Sequence, residues 1–178
     1  KVKTKILRLK ICLINPKFEP SYWGFDYALP LYPGRVKCTM VTGALPHLAS
    51  LTPGHEVCIL DENVEAIDFD FLKTFDVVGV TGMNVQKFRM REILLELRER
   101  KIFTAVGGAY ASVDEQFFDG LCDVLFSGEA DETWPKFVEQ LAAGKPYENF
   151  FKQAQPTDMT RLPTPRFDLL KVKSYATG

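Results

Sequence analysis

Short apolar runs alternate with amphipathic stretches along most of this chain, and the alternation predicts its fold. Five runs are almost continuous in apolar side chains: residues 9–14, 55–60, 76–80, 102–106 and 123–126. Continuous runs are typical of parallel strands that are buried on both faces. Because helix-like segments separate these runs, we predict an α/β chain with a Rossmann-like (flavodoxin-like) doubly wound sheet, mainly parallel and five-stranded.

Two segments show clear helical periodicity. The first covers residues 85–100, where apolar side chains spaced by three and four residues would form one buried stripe: Met90, Ile93, Leu94 and Leu97. The second covers residues 132–143, with Asp131 in the position of an N-cap and Gly144 in the position of a C-terminal stop.

The regular pattern ends after Gly144. Residues 147–178 contain several prolines and little periodicity, but their apolar side chains predict an extended strap that packs on another surface. We therefore expect residues 1–146 to form the sheet domain and residues 147–178 to form a linker. The chain ends without a capping element, so we expect it to be a piece of a longer protein.

Composition and charge exclude several classes of protein. The net charge is −1, which gives no basic field for binding nucleic acid. No apolar run approaches the roughly 20 residues that span a bilayer, so no transmembrane segment is expected. Residues 7–14 are too few, and too interrupted by Arg8 and Lys10, for the apolar core of a signal peptide, so a cytoplasmic location is expected.

The cysteines and histidines form no pattern typical of a metal or catalytic site. Cys12, Cys38, Cys58 and Cys122 lack the close spacing of zinc or iron–sulfur ligands, so buried free thiols are expected. His47 and His55 have no nucleophile or carboxylate at a spacing typical of a catalytic triad or a metal pair. We predict that both histidines are exposed or structurally satisfied.

Three of the predicted strands end in glycine-marked turns, which hold the candidate cofactor-binding residues Thr81, Gly82, Met83, Gly107, Gly108, Gly128 and Glu129. Ligands of doubly wound sheets bind outside the carboxyl ends of the strands, and glycine lets them approach the backbone. No dinucleotide fingerprint or Walker A sequence is present. Ordinary tight turns and helix caps would explain the same residues, so both interpretations stay open.

Six segments, in their order and spacing, resemble the N-terminal cobalamin-binding-type domain of radical S-adenosylmethionine proteins. They are residues 14–16, 61–65, 78–86, 106–112, 128–135 and 162–170. The resemblance covers most of the chain, and the nearest look-alikes are of the hopanoid-methylase and anaerobic protoporphyrin ester cyclase types.

The resemblance implies a sheet that holds cobalamin at its carboxyl edge, with the nucleotide tail running into the fold. Thr81 and Met83 would line the path of the tail, Gly107 and Gly108 would lie against the nucleotide, and Gly128-Glu129 would close the wall. It also implies a downstream radical S-adenosylmethionine domain in the same polypeptide. That domain would carry the 4Fe-4S cluster, cleave S-adenosylmethionine and support methyl transfer to an unactivated carbon of a lipid or tetrapyrrole.

The chain departs from related families in two ways. Residues 15–46 contain no histidine, whereas cobalamin domains of the methionine-synthase type supply one to cobalt there. No three-cysteine cluster motif is present, so the cluster and S-adenosylmethionine are expected only in the domain that would follow Gly178. Two alternatives stay open: the same fold without a cofactor, serving as a non-catalytic docking module, and a flavodoxin-like nucleotide-binding protein.

Overall fold

The computed structural model describes residues 7–19, 26–32, 34, 36–153 and 155–176. Within these residues six parallel strands form one sheet in the order β2-β1-β3-β4-β5-β6. The strands are β1 Lys10–Asn15, β2 Glu56–Asp61, β3 Val77–Thr81, β4 Thr104–Gly107, β5 Val124–Ser127 and β6 Phe150–Lys152. The first five follow the flavodoxin-like order, which confirms the predicted fold class.

The sixth strand lies in the segment that the sequence pattern assigns to the strap. β6 pairs with β5 in parallel, with Phe126 and Phe151 as register partners. Phe151 is buried, and its ring stacks on Phe126 with the centroids 5.1 Å apart. A strand of three residues is too short to show periodicity, so its formation depends on this cross-strand aromatic contact.

Five α-helices cover the two faces of the sheet: α1 Ala44–Ser50, α2 Phe69–Leu72, α3 Lys87–Glu99, α4 Ala109–Val113 and α5 Thr133–Ala142. Within the described residues, α1 and α5 pack on one face, and α2, α3 and α4 pack on the other. Short 3-10 helices occupy the connections at Asp26–Leu31, Asn84–Gln86, Glu115–Phe118, Met159–Arg161, Phe167–Leu169 and Val172–Ser174. None of the helices in the described residues could cross a membrane.

The predicted helical stripe of α3 is confirmed. Its four members are fully buried against the sheet: Met90, Ile93, Leu94 and Leu97. Gly144 also has the predicted role, because its positive φ of 62° lets the chain leave α5.

The predicted N-cap of α5 is wrong. Glu132 is in the cap position and makes no side-chain cap hydrogen bond. The Asp131 carboxylate instead pairs with Nε2 of His47 on α1 and accepts a hydrogen bond from Oγ1 of Thr157. Local sequence favours a cap here, but partners that lie far away along the chain take both carboxylate oxygens. His47 is therefore structurally satisfied, as predicted.

The last described residues pack back on the sheet, as expected of a strap. Leu170 and Tyr175 are buried in the core of the α1 face. Tyr175 donates a hydrogen bond from its hydroxyl to Oδ2 of Asp61, over 2.8 Å, and its backbone pairs with Cys38. This buried phenol–carboxylate contact joins the C-terminal segment to the carboxyl end of β2.

Replacing Tyr175 with Phe tests this contact. Burial and the Asp61 carboxylate raise the pKa of Tyr175 above 10.0. The folded chain therefore holds the phenol proton more tightly than the unfolded chain, and this stabilisation is lost as the pH rises above about 10. We expect Tyr175→Phe to lower the free energy of unfolding by about 1–2 kcal/mol near neutral pH.

The same variant should lose less stability than the parent chain between about pH 8 and pH 10.5 in urea unfolding. Tyr147→Phe is the control, because Tyr147 is 38% exposed. Equal alkaline losses in the parent and the Tyr175 variant would contradict the assignment.

A second prediction concerns Cys12 and Cys58, which are register partners on β1 and β2. A hydrogen bond from the Cys12 thiol lowers the pKa of Cys58, and the same contact together with burial raises the pKa of Cys12. The pKa of Cys122 is raised to about 11, mainly by burial and to a smaller extent by the negative charges of Asp123 and Asp119. Since the thiolate is the nucleophile, iodoacetamide should modify Cys58 before Cys122 at neutral pH.

Peptide mass mapping over a time course measures these rates. Cys12→Ala removes the donor and should slow modification of Cys58 without changing the rate at Cys122. Faster modification of Cys122 than of Cys58 in the parent chain would show that the pairing is wrong.

Candidate ligand-binding site

The glycine turns that follow β3, β4 and β5 lie side by side on the carboxyl edge of the sheet. Thr81 and Gly107 are register partners on neighbouring strands, and Gly128 follows β5 on the next strand along. The sequence expectation that these turns converge on one edge is therefore confirmed. Two cavities lie at or below this edge.

The first cavity, which we call the slot, has a volume of about 40 Å³ and lies between the sheet and helices α1 and α5. Its walls are almost entirely apolar and include Leu45, Gly79, Ala105, Gly107, Phe126 and Trp134. Two glycines, Gly79 and Gly107, thus form part of the sheet wall of the slot.

The glycines of this wall are also required by packing within the protein. A Cβ on Gly79 would lie 2.9 Å from Cδ2 of Leu13, and one on Gly107 would lie 3.3 Å from Cβ of Phe126. These positions therefore have little room for a side chain. Neighbouring side chains have taken the space that the two glycines leave.

Gly108 has the strictest requirement for glycine. Its φ is +96°, and a Cβ there would lie 2.1 Å from Oγ1 of Thr81 and 3.1 Å from the backbone nitrogen of Gly82. The turn after β4 thus packs directly on the turn after β3. The structural explanation, a tight turn that needs glycine, holds for Gly108 whether or not a ligand binds nearby.

The second cavity, which we call the cleft, has a volume of about 320 Å³ and lies at the ends of β1 and β3. Its lining includes Asn15, Phe18, Met40, Thr81, Met83 and Gln86. β1 and β3 flank the point where the strand order reverses, which is where open α/β sheets bind ligands. Thr81 and Gly108 line both the cleft and the slot, so the two cavities adjoin.

A buried side-chain amide organises the floor of the cleft. Gln86, 1% exposed, accepts a hydrogen bond at Oε1 from the backbone nitrogen of Met83, over 2.9 Å. Its Nε2 donates to the carbonyl of Pro16 at 2.5 Å and to Oδ1 of Asn15 at 2.9 Å. One residue thereby joins the end of β1 to the turn after β3.

Sequence reasoning missed Gln86. Its side-chain oxygen satisfies the N–H of Met83, which is in the cap position of the 3-10 helix Asn84–Gln86. The three-residue spacing from Met83 to Gln86 matches half of a capping box and is the signal that could have identified it.

The lining of the cleft carries no formal charge among the described residues. Its polar groups are carboxamides, hydroxyls and backbone groups, and Met40 and Met83 contribute thioethers. No cluster of His, Cys, Asp or Glu side chains in the described residues could hold a metal ion. Such a lining offers hydrogen-bond donors and acceptors to a ligand without adding a formal charge.

The structure separates the predicted site residues into two groups. Five line a cavity: Thr81 and Gly108 line both, Gly82 and Met83 line the cleft, and Gly107 lines the slot. Gly128 and Glu129 lie on the same edge but line neither cavity. A Cβ on Gly128 would lie 2.9 Å from the carbonyl oxygen of Gln153, and Glu129 is exposed. A ligand role for these two residues stays a prediction.

A cavity of similar volume, about 310 Å³, lies near the amino ends of β4 and β5. Its lining includes Arg98, Lys101, Thr104 and Asp123. Doubly wound sheets bind their ligands at the opposite edge, so the slot and the cleft are the stronger candidate.

The chain is similar in sequence to three proteins whose names all refer to methyl transfer. No family model matches the chain. An "Uncharacterized methyltransferase sll1242" of Synechocystis sp. is 32% identical over 168 residues, which are 94% of this chain and 31% of the relative. A "Hopanoid C-2 methylase" of Rhodopseudomonas palustris is 25% identical over 95% of this chain and 32% of its own length.

A third relative is a "Bacteriochlorophyllide d C-8(2)-methyltransferase" of Chlorobaculum tepidum, 29% identical over 67% of this chain and 28% of its own length. A solved N-terminal domain of hypothetical protein TM0182 from Thermotoga maritima aligns with 50% of this chain and 74% of its own at 21% identity. Its TM-score of 0.41 is too low for a shared fold to be inferred.

The chain spans about a third of the length of the curated relatives it matches. All three are named as enzymes that transfer methyl groups. The chain is thus similar to part of three longer proteins that are named for methyl transfer.

Proposed function

We propose that this chain is the cobalamin-binding domain of a larger, cobalamin-dependent radical S-adenosylmethionine methyltransferase. The observation that carries the proposal is the adjoining pair of cavities at the switch point of the sheet, one narrow and apolar, the other wide and uncharged. The methyl-transferring relatives support the reaction class, and their greater length supports a further domain.

The residues present fit a corrinoid in two respects. The wide cleft, with its carboxamides and thioethers, would take the corrin ring, whose peripheral carboxamides are neutral. The slot would take the flat base of the nucleotide tail between the glycine-containing sheet wall and helices α1 and α5. When bound, cobalamin supplies a transferable methyl group, while the protein binds the cofactor, orients it and excludes water.

The fit has two further consequences. No histidine lines either cavity among the described residues, so these walls would hold the cofactor without an imidazole. A cavity needs about 10–15 Å³ for one water molecule, so a slot of about 40 Å³ holds only a few. The base of the tail is larger than this volume, so binding must widen the slot. Leu48 and Ala130 line the slot and are only partly buried, so the slot would widen at these residues.

No observation favours the two alternatives. A non-catalytic docking module would be expected to fill the cleft with side chains, whereas this cleft is open at about 320 Å³. A flavodoxin-like nucleotide site would have to bind phosphate through hydroxyls and backbone N–H groups alone, because the cleft lining has no cationic side chain among the described residues.

Gel filtration with hydroxocobalamin tests the proposal. We expect the chain to retain the cofactor at about tens of micromolar, an affinity of roughly −6 kcal/mol, and to change its visible spectrum. Holding the base in the slot would change the surroundings of the cofactor, which is the expected cause of the spectral change. Passage of the cofactor in the free volume with an unchanged spectrum would refute the proposal.

Ala130→Phe should weaken this binding by about tenfold or more, because the benzyl group would occupy the space of the tail. Ala143→Phe makes the same change at the other end of α5 and should leave the affinity unchanged. Visible titration of the parent chain and both variants gives the dissociation constants. Equal affinity of the Ala130 variant and the parent would show that the tail does not enter the slot.

A further inference from the structure

We propose that Asn15 and Trp134 are the polar anchors of the bound ligand, with Asn15 binding the corrin ring and Trp134 binding the base of the tail. This inference rests on the proposed function and deepens it. Each residue has a buried N–H donor without a hydrogen-bond partner in the described part of the chain, and each lines one of the two cavities.

The orientation of the Asn15 amide follows from its neighbours. The Met83 backbone nitrogen can only donate, so the Gln86 atom that it contacts must be the oxygen. The Gln86 nitrogen therefore faces Asn15 and the carbonyl of Pro16, and a carbonyl can only accept. Oδ1 of Asn15 must then be the atom that receives this hydrogen bond, which leaves Nδ2 as the spare donor.

The spare donor is itself buried. Asn15 is 4% exposed, and Nδ2 has no acceptor among the described residues. Buried donors of native proteins nearly always have a partner, because an unmade hydrogen bond is costly. Asn15 lines the cleft, so a ligand there can supply the acceptor, and the carbonyl oxygens of the corrin carboxamides have the required chemistry.

Trp134 presents the corresponding donor at the slot. It is 3% exposed, and its ring packs on Phe126 and Phe137 with centroid distances of 5.6 Å and 5.8 Å. Nε1 has no acceptor in the described part of the chain, and the walls of the slot are almost entirely apolar. A base bound in the slot would present a ring nitrogen that can accept this hydrogen bond.

Two other buried side-chain atoms also lack partners among the described residues, Oγ1 of Thr133 and Oε1 of Gln140. Neither residue lines the slot or the cleft. They therefore give no indication of a ligand, and the assignment depends on the coincidence of an unpartnered donor with a cavity.

Binding measurements with two ligands test the roles of Asn15 and Trp134 separately. Hydroxocobalamin has the ring and the tail with its base, whereas dicyanocobinamide has the ring without the base. Asn15→Asp keeps an acceptor for Gln86 but converts the spare donor into an acceptor, so it should weaken binding of both ligands about tenfold. Trp134→Phe keeps the aromatic packing, so it should weaken hydroxocobalamin about tenfold and leave dicyanocobinamide unchanged.

Asn84→Asp is the matched control, because it makes the same change in charge on the exposed 3-10 helix beside the cleft. It should leave both affinities unchanged. Thermal unfolding checks that each variant is folded. In the parent chain, ¹⁵N NMR should show the Asn15 side-chain amide shifting with both ligands, which tests the contact without a substitution.

The outcomes distinguish the two proposals. If the parent chain binds neither ligand, both the proposed function and this inference are overturned. If it binds cobalamin while Asn15→Asp and Trp134→Phe bind it equally well, only the inference is overturned. A loss of cobalamin binding alone in Asn15→Asp would place Asn15 at the tail and would overturn its assignment to the ring.

Discussion

The geometry of the carboxyl edge depends on one buried carboxamide. Gln86 contacts the backbone of Met83 after β3, the carbonyl of Pro16 after β1 and the side chain of Asn15 at the end of β1. The register of β1 with β3 runs to Ile14 and Val80, and Gln86 joins the two segments beyond that point. A fully satisfied amide at this place keeps the cleft open and fixes the orientation of Asn15, because a buried hydrogen-bond network permits few alternative arrangements.

The apolar packing below this edge explains why the site has two unlike parts. Helices α1 and α5 cover one face of the sheet, and the slot is the gap that remains between them and the glycine-containing wall. His47 on α1 pairs with Asp131 before α5 and so holds the two helices together. The hydroxyl of Thr157 donates a hydrogen bond to the same Asp131 carboxylate, which joins the C-terminal segment to this pair. Any widening of the slot therefore works against contacts that join three distant parts of the chain.

These physical features agree with the relationship to methyl-transferring enzymes. The open cleft has no formal charge among the described residues and adjoins a narrow apolar slot, so the two cavities suit a ligand with an uncharged body and a flat appendage. The strap returns to the sheet through Tyr175 and Asp61, so the C-terminal segment packs on the same face as the slot. The structure thus brings the candidate site and the last described residues to one side of the sheet.

The sequence by itself determined the fold class, five strands, the buried stripe of α3 and the edge on which the glycine turns meet. These features depend on local periodicity and on the chain direction of parallel strands, which one sequence contains. It did not determine β6, which depends on Phe151 stacking against Phe126, or the partners of Asp131, since His47 lies 84 residues away. Only the tertiary structure decided that Gln86 orients Asn15, because that contact joins residues 71 positions apart and leaves no periodic signal.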